Sequence, residues 1–399
     1  MSVTDVNLIS EETGQEIAEN LSGIERAIKD LSGDYDFSDY HSIVAALRTG
    51  NGDKIPDGSV FQVHHAVYGD MDFVTRRKNV DKLAGDPDRP TITIQSKYCI
   101  SVNAGTTAAA FQYDRPEAFK KVAETIPAGS VCKFTTIAYG GWEAGTYHFT
   151  AAGEIAAGSL LGISGYQNTA LTSLKVNVFA NAKATSAAAA YDIASGDGGA
   201  TVNLGTWGTD ANHPQRVSYG SNNEADSNIF QWLNGDSGSN YMDSIFVPKT
   251  DYDMMCTSFT SLKGFLGGFP DDFRECLGLC AIHNITNAVY EESGYTVNSE
   301  YTHNGYFWLP SRKEIYGSNE TASENSESQF PYYANVGTAN ADKLGYAKGA
   351  ASPSTEWLRT PYAGSAHNVR ITNAGTGGAL NNIYGATHSL AVRPLAILV

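Results

Sequence analysis

Residues 354–399 read STEWLRTPYAGSAHNVRITNAGTGGALNNIYGATHSLAVRPLAILV, a polar middle between two apolar ends. WLRTP stands at residues 357–361 and VRPLAIL at residues 392–398, and Asn, Ser, Thr, Tyr, His, Gly and Ala dominate between them. No Asp or Glu follows Glu356, although the chain holds 43 acidic residues. An active site needs a base, a nucleophile or a metal, so an apolar frame around short polar and aromatic side chains favours a binding surface.

The composition of the chain indicates a β-rich protein of several domains. Its 399 residues predict two or three domains. Charged residues make up 18%, while Gly (40) and Tyr (22) are abundant, which favours strands joined by elaborate loops over a helical bundle. The net charge of −16 argues against a nucleic-acid partner, because phosphate binding needs clustered Lys and Arg.

The sequence carries no signal for secretion or for a membrane span. The first residues, MSVTDVNLIS, lack a basic segment followed by an apolar one, so we expect no secretory signal. No apolar run approaches the roughly 18 residues of a spanning helix. Five cysteines without a CxxC pair predict buried free thiols. Cys276 and Cys280 have the spacing of a zinc pair on one helical face, but no second pair with ligand spacing exists.

The N-terminal segment predicts a helix with a heptad seam. Apolar residues recur at spacings of four, three, four and three, at Ile17, Leu21, Ile24, Ile28 and Leu31. Two interpretations stay open: an oligomer seam, which would allow a trimer, and an amphipathic helix packed on its own domain. A second short helix follows, with Ser38 as the expected N-cap and Gly50 and Gly52 at its end.

The middle of the chain alternates in the manner of strands. Strands are predicted in FQVHHAVYG, TITIQSKYCISV, CKFTTIAYG, GTYHFTA, GSLLGIS and SLKVNVFA, with turn signals between them. One helix is predicted at residues 116–126, and SAAAAYDIASGDGG at residues 186–199 is read as a linker-like turn. His64 and His65 should point to opposite faces of one strand, which argues against a metal pair.

The C-terminal half has longer loops and four of the five tryptophans. DSNIFQWLNG predicts a helix that Asp226 or Ser227 caps, FPDDFRECLGLCAI a helix or a helix leading to a strand, and FWLPSRKEIYG a strand followed by a turn capped by Ser311. SNETASENSESQ, residues 318–329, is read as a solvated loop. The predicted fold class is α+β, mostly β: a helical oligomerisation or attachment segment (1–50), a sandwich-like β-rich domain (51–203) and a ligand-binding domain (204–399).

Three motifs in order, SNIFQWLNG, FWLPSRKEIYG and WLRTP…VRPLAIL, carry a resemblance over about residues 204–399. They resemble the C-type-lectin-like fold of the formylglycine-generating-enzyme superfamily. Within it, the chain is most similar to the variable proteins of diversity-generating retroelements, of which phage tropism determinants are the best-known type. In that family, adenine miscopying scatters codons over a set of residues from which residues 362–388 are largely drawn. A near-copy of the DNA for residues 355–399 beside a reverse-transcriptase gene would mark such a system.

The resemblance implies a function in receptor binding. It predicts a phage or prophage protein of the virion, made in the bacterial cytoplasm, that binds a host cell-surface protein or glycan as a homo-oligomer, with a trimer as the expected form. Two alternatives stay open. One is a virion decoration protein without diversification; the other is an enzyme of the same fold, which would have a deep pocket holding a titratable pair.

Known chemistries of this fold lack their residues here, so we expect no enzyme activity, no catalytic residues, no metal and no cofactor. No cysteine follows Cys280, whereas fold relatives that oxidise a sulfatase cysteine use cysteines near their C-terminus. The EPN, QPD and WND triplets of calcium-dependent lectins are absent. No GxSxG elbow occurs either.

The predicted site divides the stretch into outward, inward and frame positions. The outward, ligand-binding candidates are Tyr362, Ser365, His367, Asn368, Arg370, Asn373, Asn381, Asn382, Tyr384 and His388. The expected inward set is Val369, Ile371, Leu380 and Ile383, and the scaffold frame comprises Trp357, Leu358, Arg359, Pro361, Arg393 and Pro394. Arg393 should pair with a buried carboxylate or carbonyl, since an unpaired buried charge is costly. Tyr362, Arg370 and Tyr384 are the expected energetic anchors.

Overall fold

The computed structural model describes residues 21–24, 28, 32–101, 111–112, 117–136, 143–164, 169–181, 184, 186–207, 222–236, 264–285, 300–321, 326–337, 339–363 and 368–399. Within these residues the protein has both α and β structure, with mostly strands and a few short helices, as expected. The α-helices with complete bounds are α1 Tyr40–Arg48, α2 Asn228–Leu233, α3 Asp271–Cys276, α4 Arg312–Tyr316 and α5 Pro331–Asn335. Single 3-10 turns lie at Gly52–Lys54, Leu171–Ser173, Glu224–Asp226, Leu266–Gly268, Asn340–Lys343 and Ala374–Thr376.

The strands run through the whole described chain. The first thirteen are β1 Val60–His65, β2 Gly69–Lys78, β3 Lys82–Leu83, β4 Ile92–Ser96, β5 Phe111–Gln112, β6 Glu117–Lys121, β7 Val131–Thr136, β8 Gly145–Thr150, β9 Leu160–Ser164, β10 Lys175–Phe179, β11 Ala189–Asp192, β12 Ala194–Ser195 and β13 Val202–Thr206. The others are β14 Leu277–Gly278, β15 Cys280–Ile285, β16 Glu300–Gly305, β17 Glu356–Pro361, β18 Asn368–Thr372, β19 Ile383–Gly385, β20 Ser389–Leu390 and β21 Leu395–Leu398.

One five-stranded sheet joins the two ends of the chain, in the order β1-β2-β4-β21-β14. The last strand pairs antiparallel with β4, so that Leu395 faces Gln95 and Leu398 faces Ile92. Helix α1 packs into the same apolar core as Trp232 and Trp357. The predicted division at residues 50/51 and 203/204 does not match this arrangement, because residues 40–96 and the C-terminal region share one sheet and one core.

Residues 117–207 form a second core of their own. Two four-stranded sheets, β11-β10-β9-β6 and β12-β8-β7-β13, enclose buried residues such as Phe134, Leu161, Val176 and Trp207. The sandwich-like part of the chain therefore covers a shorter range of residues than the predicted range 51–203, because it begins only at residue 117. In the sequence, it lies after strands β1, β2 and β4 of the five-stranded sheet and before strands β14 and β21 of the same sheet.

This second core contains an internal repeat, IPAGS at residues 126–130 and IAAGS at residues 155–159. Ile126 and Ile155 exchange two backbone hydrogen bonds of 2.9 Å. Gly129 and Gly158 each have a φ of +84°, a left-handed conformation that favours glycine. The two copies thus form equivalent turns that pair with each other through these hydrogen bonds. The sequence-based prediction did not include this repeat.

Several local predictions are wrong. Residues 117–121 form strand β6, paired with β9, where a helix was expected, because tertiary pairing overrides a short helical pattern. The expected turn at residues 186–199 contains β11 and β12, since Ile193 is buried between them in the second core. Asp39, and not Ser38, caps α1 by accepting a hydrogen bond of 3.0 Å from the backbone N–H of His41.

The strand predicted at the start of FWLPSRKEIYG is absent, since β16 ends at Gly305 and Trp308 forms only an isolated bridge with Leu395, but other local predictions are confirmed. All six strand segments predicted for the middle of the chain contain strands. Ser227 caps α2 by accepting from the backbone N–H of Phe230, and Ser311 forms a capping box with Glu314 at α4. FPDDFRECLGLCAI is a helix that leads into strands β14 and β15. Because Cys276 ends that helix and Cys280 begins β15, the two thiols do not share a helical face.

The heptad seam of the N-terminal segment lies partly within the described residues. Residues 21–24, 28 and 32 are helical. Leu21, Ile24 and Ile28 are 57%, 57% and 62% exposed, whereas Ile17 and Leu31 lie outside the described residues. The described part of the seam is therefore not packed on its own chain.

His64 and His65 point to opposite faces, as predicted: His64 is exposed and His65 is buried. The Nε2–H of His65 donates to the carbonyl of Phe265 at 2.9 Å, and its Nδ1 accepts from the N–H groups of Val67 (3.1 Å) and Tyr68 (3.3 Å). Burial lowers the pKa of His65 to about 4. The folded protein therefore holds the neutral imidazole, with both nitrogens occupied.

Acidification is expected to cost stability through His65. Between its unfolded pKa of 6.5 and its folded pKa of about 4, the unfolded chain takes up a proton that the folded chain does not. The free energy of unfolding should fall by up to about 3 kcal/mol over this range. The measurement is urea unfolding at pH 7 and pH 4.5 for the wild type and His65→Gln. An equally large loss in the variant would contradict this assignment.

Candidate functional site

Residues 354–399 contribute strands to three sheets, one of which is the short pair of β20 with β5. Strands β17, β18 and β19 form a three-stranded antiparallel sheet, and β21 lies between β4 and β14 in the five-stranded sheet. The two ends of the stretch meet directly, because the backbone N–H of Trp357 donates to the carbonyl of Ala391 at 3.0 Å. The polar middle is therefore held at both ends by buried β-structure.

The predicted frame is buried throughout. Trp357, Leu358 and Arg359 are at most 2% exposed, and Pro361 and Pro394 are buried as well. Arg393 donates from Nε to Glu356 at 2.8 Å, which confirms the prediction of a buried acceptor. Burial alone would lower the pKa of Arg393, but Glu356 and other neighbours raise it above its ordinary value. The frame thus contains a buried guanidinium–carboxylate pair.

A second buried network anchors Arg359. Its Nη1 donates to Glu314 at 2.6 Å, and its Nη2 pairs with Glu327. Glu314 also accepts from Arg77 at 2.6 Å and from the backbone N–H of Ser311 at 2.7 Å. Burial lowers the pKa of Arg359, but Glu314 and Glu327 together raise it well above its ordinary value. This network ties β17 to α4 and to β2 of the main sheet.

Arg370 is placed differently from the prediction. It is only 7% exposed, and it binds Glu320 through two hydrogen bonds of 2.6 and 2.8 Å. Its guanidinium carbon lies 4.7 Å from the centre of the half-buried Tyr362 ring. Arg312 shares the same carboxylate at 2.9 Å. Because a bidentate carboxylate satisfies its charge, Arg370 belongs to the support of the surface and is not an outward anchor.

The described parts of the segment 318–329 supply this support: Asn319, Ser326 and Ser328 are exposed, as the composition predicts, but two carboxylates of the segment are buried. The Glu320 and Glu327 side chains are 2% and 5% exposed. Glu320 also accepts from the backbone N–H of Ala363 at 3.0 Å. Arg359 and Arg370 thus pair with carboxylates from earlier parts of the chain, whereas Arg393 pairs with Glu356 near the start of the stretch. Three arginines in a stretch without acids, Arg359, Arg370 and Arg393, are the sequence signal for such partners.

The most exposed candidates cluster after β18. Tyr384 is 37% exposed, and its ring stacks on that of exposed His388 with centres 4.8 Å apart. Asn381 is exposed, and its Oδ1 lies 3.4 Å from Nη2 of Arg312. These three side chains form the outward set: Asn381, Tyr384 and His388.

The other asparagines mainly shape the backbone. Asn373 accepts from the backbone N–H of Gly375 at 2.9 Å. Asn382 donates to Thr376 Oγ1 at 2.7 Å and to the carbonyl of Ala379 at 2.8 Å. Half-buried Asn368 accepts, through its carbonyl, a hydrogen bond of 2.8 Å from Asn222. All three lie half-buried at the base of the surface.

The inward set is confirmed in part. Val369 and Ile371 are at most 1% exposed, as predicted, whereas Leu380 and Ile383 are half-buried. Ser365 and His367 lie outside the described residues. The separation between inward and outward positions is therefore sharp in β18 and weaker in the segment leading to β19.

Two concave features lie near this region. A depression of about 480 Å³ beside the frame is lined by small or hydroxyl residues, namely Ala350, Ala351, Ser352, Pro353, Ser354, Thr355 and Ala374. A cavity of about 300 Å³ involves Tyr68, Asp70, Asp72, Tyr98 and Lys348. Its carboxylates already have partners, since Asp70 binds His64 and Asp72 binds Gln62, each at 2.9 Å.

The described residues contain neither a metal-binding cluster nor a helix that could span a membrane. Within them, no group of three or more His, Cys, Asp or Glu side chains is arranged to hold a metal ion. Cys99, Cys132, Cys276 and Cys280 are free and buried, and burial raises the pKa of Cys132 to about 11. Among the described helices, none has the length and apolar character needed to cross a membrane.

Comparison with known proteins gives one match. Residues 202–399 match the model of a family described as a domain of unknown function, DUF6273. The match begins two residues before the predicted start of the C-terminal domain at residue 204. No curated protein and no solved structure matches the chain.

Proposed function

We propose that the protein is a receptor-binding protein of a phage or prophage particle, whose C-terminal region is a C-type-lectin-like domain of the retroelement-diversified type. The observation that carries the proposal is the division of residues 356–393. Buried charge pairs fix the frame at Glu356, Arg359, Arg370 and Arg393, while the outward set projects from it. Such a design tolerates changes at the surface because the fold does not depend on them.

The outward set has the chemistry of an adaptable binding surface. Tyr supplies a large contact area at low cost in conformational entropy, and Asn and His supply hydrogen bonds, as in antibody loops. The Tyr384–His388 stack presents a joined aromatic surface. The proposed ligand is a protein or glycan of the host cell surface.

Oligomerisation is part of the proposal. The exposed seam residues Leu21, Ile24 and Ile28 favour association with further copies of the chain, and a trimer is the proposed form. Linking several weak sites raises the apparent affinity through effective concentration, without new contacts. The proposed location is the virion.

Truncation of the outward set is expected to remove binding without unfolding the protein. The variant carries Asn381→Ala, Tyr384→Ala and His388→Ala. Loss of one interface hot spot costs about 2 kcal/mol, roughly a 30-fold loss of affinity. The measurement is binding of the purified full-length chain to host cells, together with its thermal unfolding midpoint.

The matched control is His64→Ala, which removes another exposed histidine, on β1 of the main sheet. We expect it to bind like the wild type. If the triple variant also binds like the wild type, the surface is not the receptor site, and a decorative role in the particle becomes the better explanation.

A further inference from the structure

One buried arginine differs from all the others that the structure describes. Arg76, Arg77, Arg312, Arg359, Arg370 and Arg393 are each at most 9% exposed. Five of them bind a carboxylate within 2.9 Å. Arg76, at 4% exposure, has no carboxylate partner among the described residues. An uncompensated buried charge costs several kcal/mol, so this exception requires an explanation.

The position of Arg76 is unusual in the sheet. The pairing of β2 with β4 shifts register between Thr75 and Arg77, which leaves Arg76 in a β-bulge without a cross-strand partner. Bulges redirect side chains and are enriched near functional sites. The bulge thus places Arg76 next to Arg77 with both side chains buried.

The polar contacts of Arg76 are incomplete. Its Nε donates to Oε1 of Gln95 at 2.8 Å, and Tyr333 bonds the same oxygen at 2.8 Å. Arg76 can only donate, so the amide oxygen of Gln95 must face it. Nη1 of Arg76 and Nε2 of Gln95 are both buried and have no hydrogen-bond partner. Each of these two buried donors therefore lacks an acceptor.

The surroundings add positive charge. Arg393 also lies near Tyr333: its guanidinium carbon is 5.7 Å from the centre of that ring, while that of Arg76 is 5.2 Å from it. The pKa of Arg76 is lowered chiefly by burial and also by Arg393, while Tyr333 and Tyr332 partly oppose this effect. The carboxylate that Arg393 binds is Glu356. The region around Tyr333 thus holds two guanidinium groups and one carboxylate.

Solvent is close on one side. The ring of Tyr332 lies over the guanidinium of Arg76, 4.0 Å from its central carbon, and Tyr332 is 42% exposed. Exposed side chains change rotamer within nanoseconds. A small solute can therefore reach Arg76 when this ring moves.

We propose that Arg76 and Gln95 form a binding site for a small monovalent anion that only accepts hydrogen bonds, a halide or a free carboxylate. The anion accepts from Nη1 of Arg76, whose guanidinium Gln95 holds through Nε, and balances the second guanidinium charge. The site lies at the junction of β2, β4 and α5, and it is independent of the proposed receptor-binding surface.

The test compares full-length wild type with Arg76→Met and Gln95→Glu at pH 7.5. Thermal unfolding is followed in buffers with 0–200 mM sodium chloride or sodium acetate. General salt effects act on all three proteins. The wild-type midpoint is expected to rise by about 2–4 °C more than that of Arg76→Met. The stronger of the two salts identifies the halide or the carboxylate as the preferred ligand.

Gln95→Glu supplies a carboxylate next to Arg76 within the same volume. Without added anion it is expected to unfold at a higher temperature than the wild type, and its midpoint should then show no more salt dependence than Arg76→Met. A wild-type salt response equal to that of Arg76→Met would overturn the proposal. So would a Gln95→Glu variant that is less stable than the wild type.

Discussion

Replacing Glu314 with alanine is expected to lower the free energy of unfolding by about 3–5 kcal/mol, because it breaks a buried charge network. The carboxylate is fully buried and binds Arg77 and Arg359, each at 2.6 Å. It also completes the capping box with Ser311. Removing it leaves two guanidinium groups with fewer counter-charges in a region that water does not reach.

The measurement is urea unfolding at pH 7. Glu314→Gln is the graded control, since it keeps the side-chain volume and an acceptor for Ser311 and should lose less stability than Glu314→Ala. Asp192→Asn breaks an exposed pair with Lys175, whose side chains are 85% and 55% exposed, and should change stability by less than about 1 kcal/mol. A loss in Glu314→Ala no greater than in Asp192→Asn would show that the buried charges do not hold the frame.

Secondary structure was predictable wherever it depends on residues that lie close together in the sequence. Alternation identified the strands, and the Ser227 and Ser311 caps follow from side chains that reach their own backbone. The repeat IPAGS and IAAGS was also visible in the sequence, and it would have indicated that residues 117–164 fold as strands around paired turns.

The long-range organisation was not predictable in this way. Strands β4 and β21 are about three hundred residues apart, and nothing in either segment specifies the other as its partner. The sheet that joins them therefore contains strands from both sides of the predicted division at residues 203/204. The region matched by the family model, residues 202–399, likewise omits strands β1, β2 and β4 of that sheet.

The burial of the frame was predictable from the sequence, whereas the ion-pair partners of the arginines were only partly predictable. Trp357, Arg359 and Arg393 are buried as expected, because apolar residues and their paired arginines recur at both ends of the stretch. Arg370 was misplaced because its partner, Glu320, stands in a segment whose composition indicates a solvated loop. Composition describes the segment on average, whereas a single carboxylate decides whether an arginine is buried.

The proposed separation between the exposed outward set and the buried positions predicts which positions tolerate substitution. A library that randomises the outward set, Asn381, Tyr384 and His388, should leave most members folded, because these side chains are exposed. A matched library at Trp357, Val369 and Ile371 should leave few members folded, because these positions are at most 1% exposed. Core truncations of this kind cost about 2–5 kcal/mol each.

The most direct test displays both libraries, scores the folded fraction by resistance to protease, and selects the survivors for binding to an unrelated protein. We predict a high folded fraction and new binders from the outward library, and a low folded fraction from the library at the buried positions Trp357, Val369 and Ile371. Equal folded fractions in the two libraries, or an outward library that folds but never yields a binder, would contradict a binding surface carried by a fixed frame.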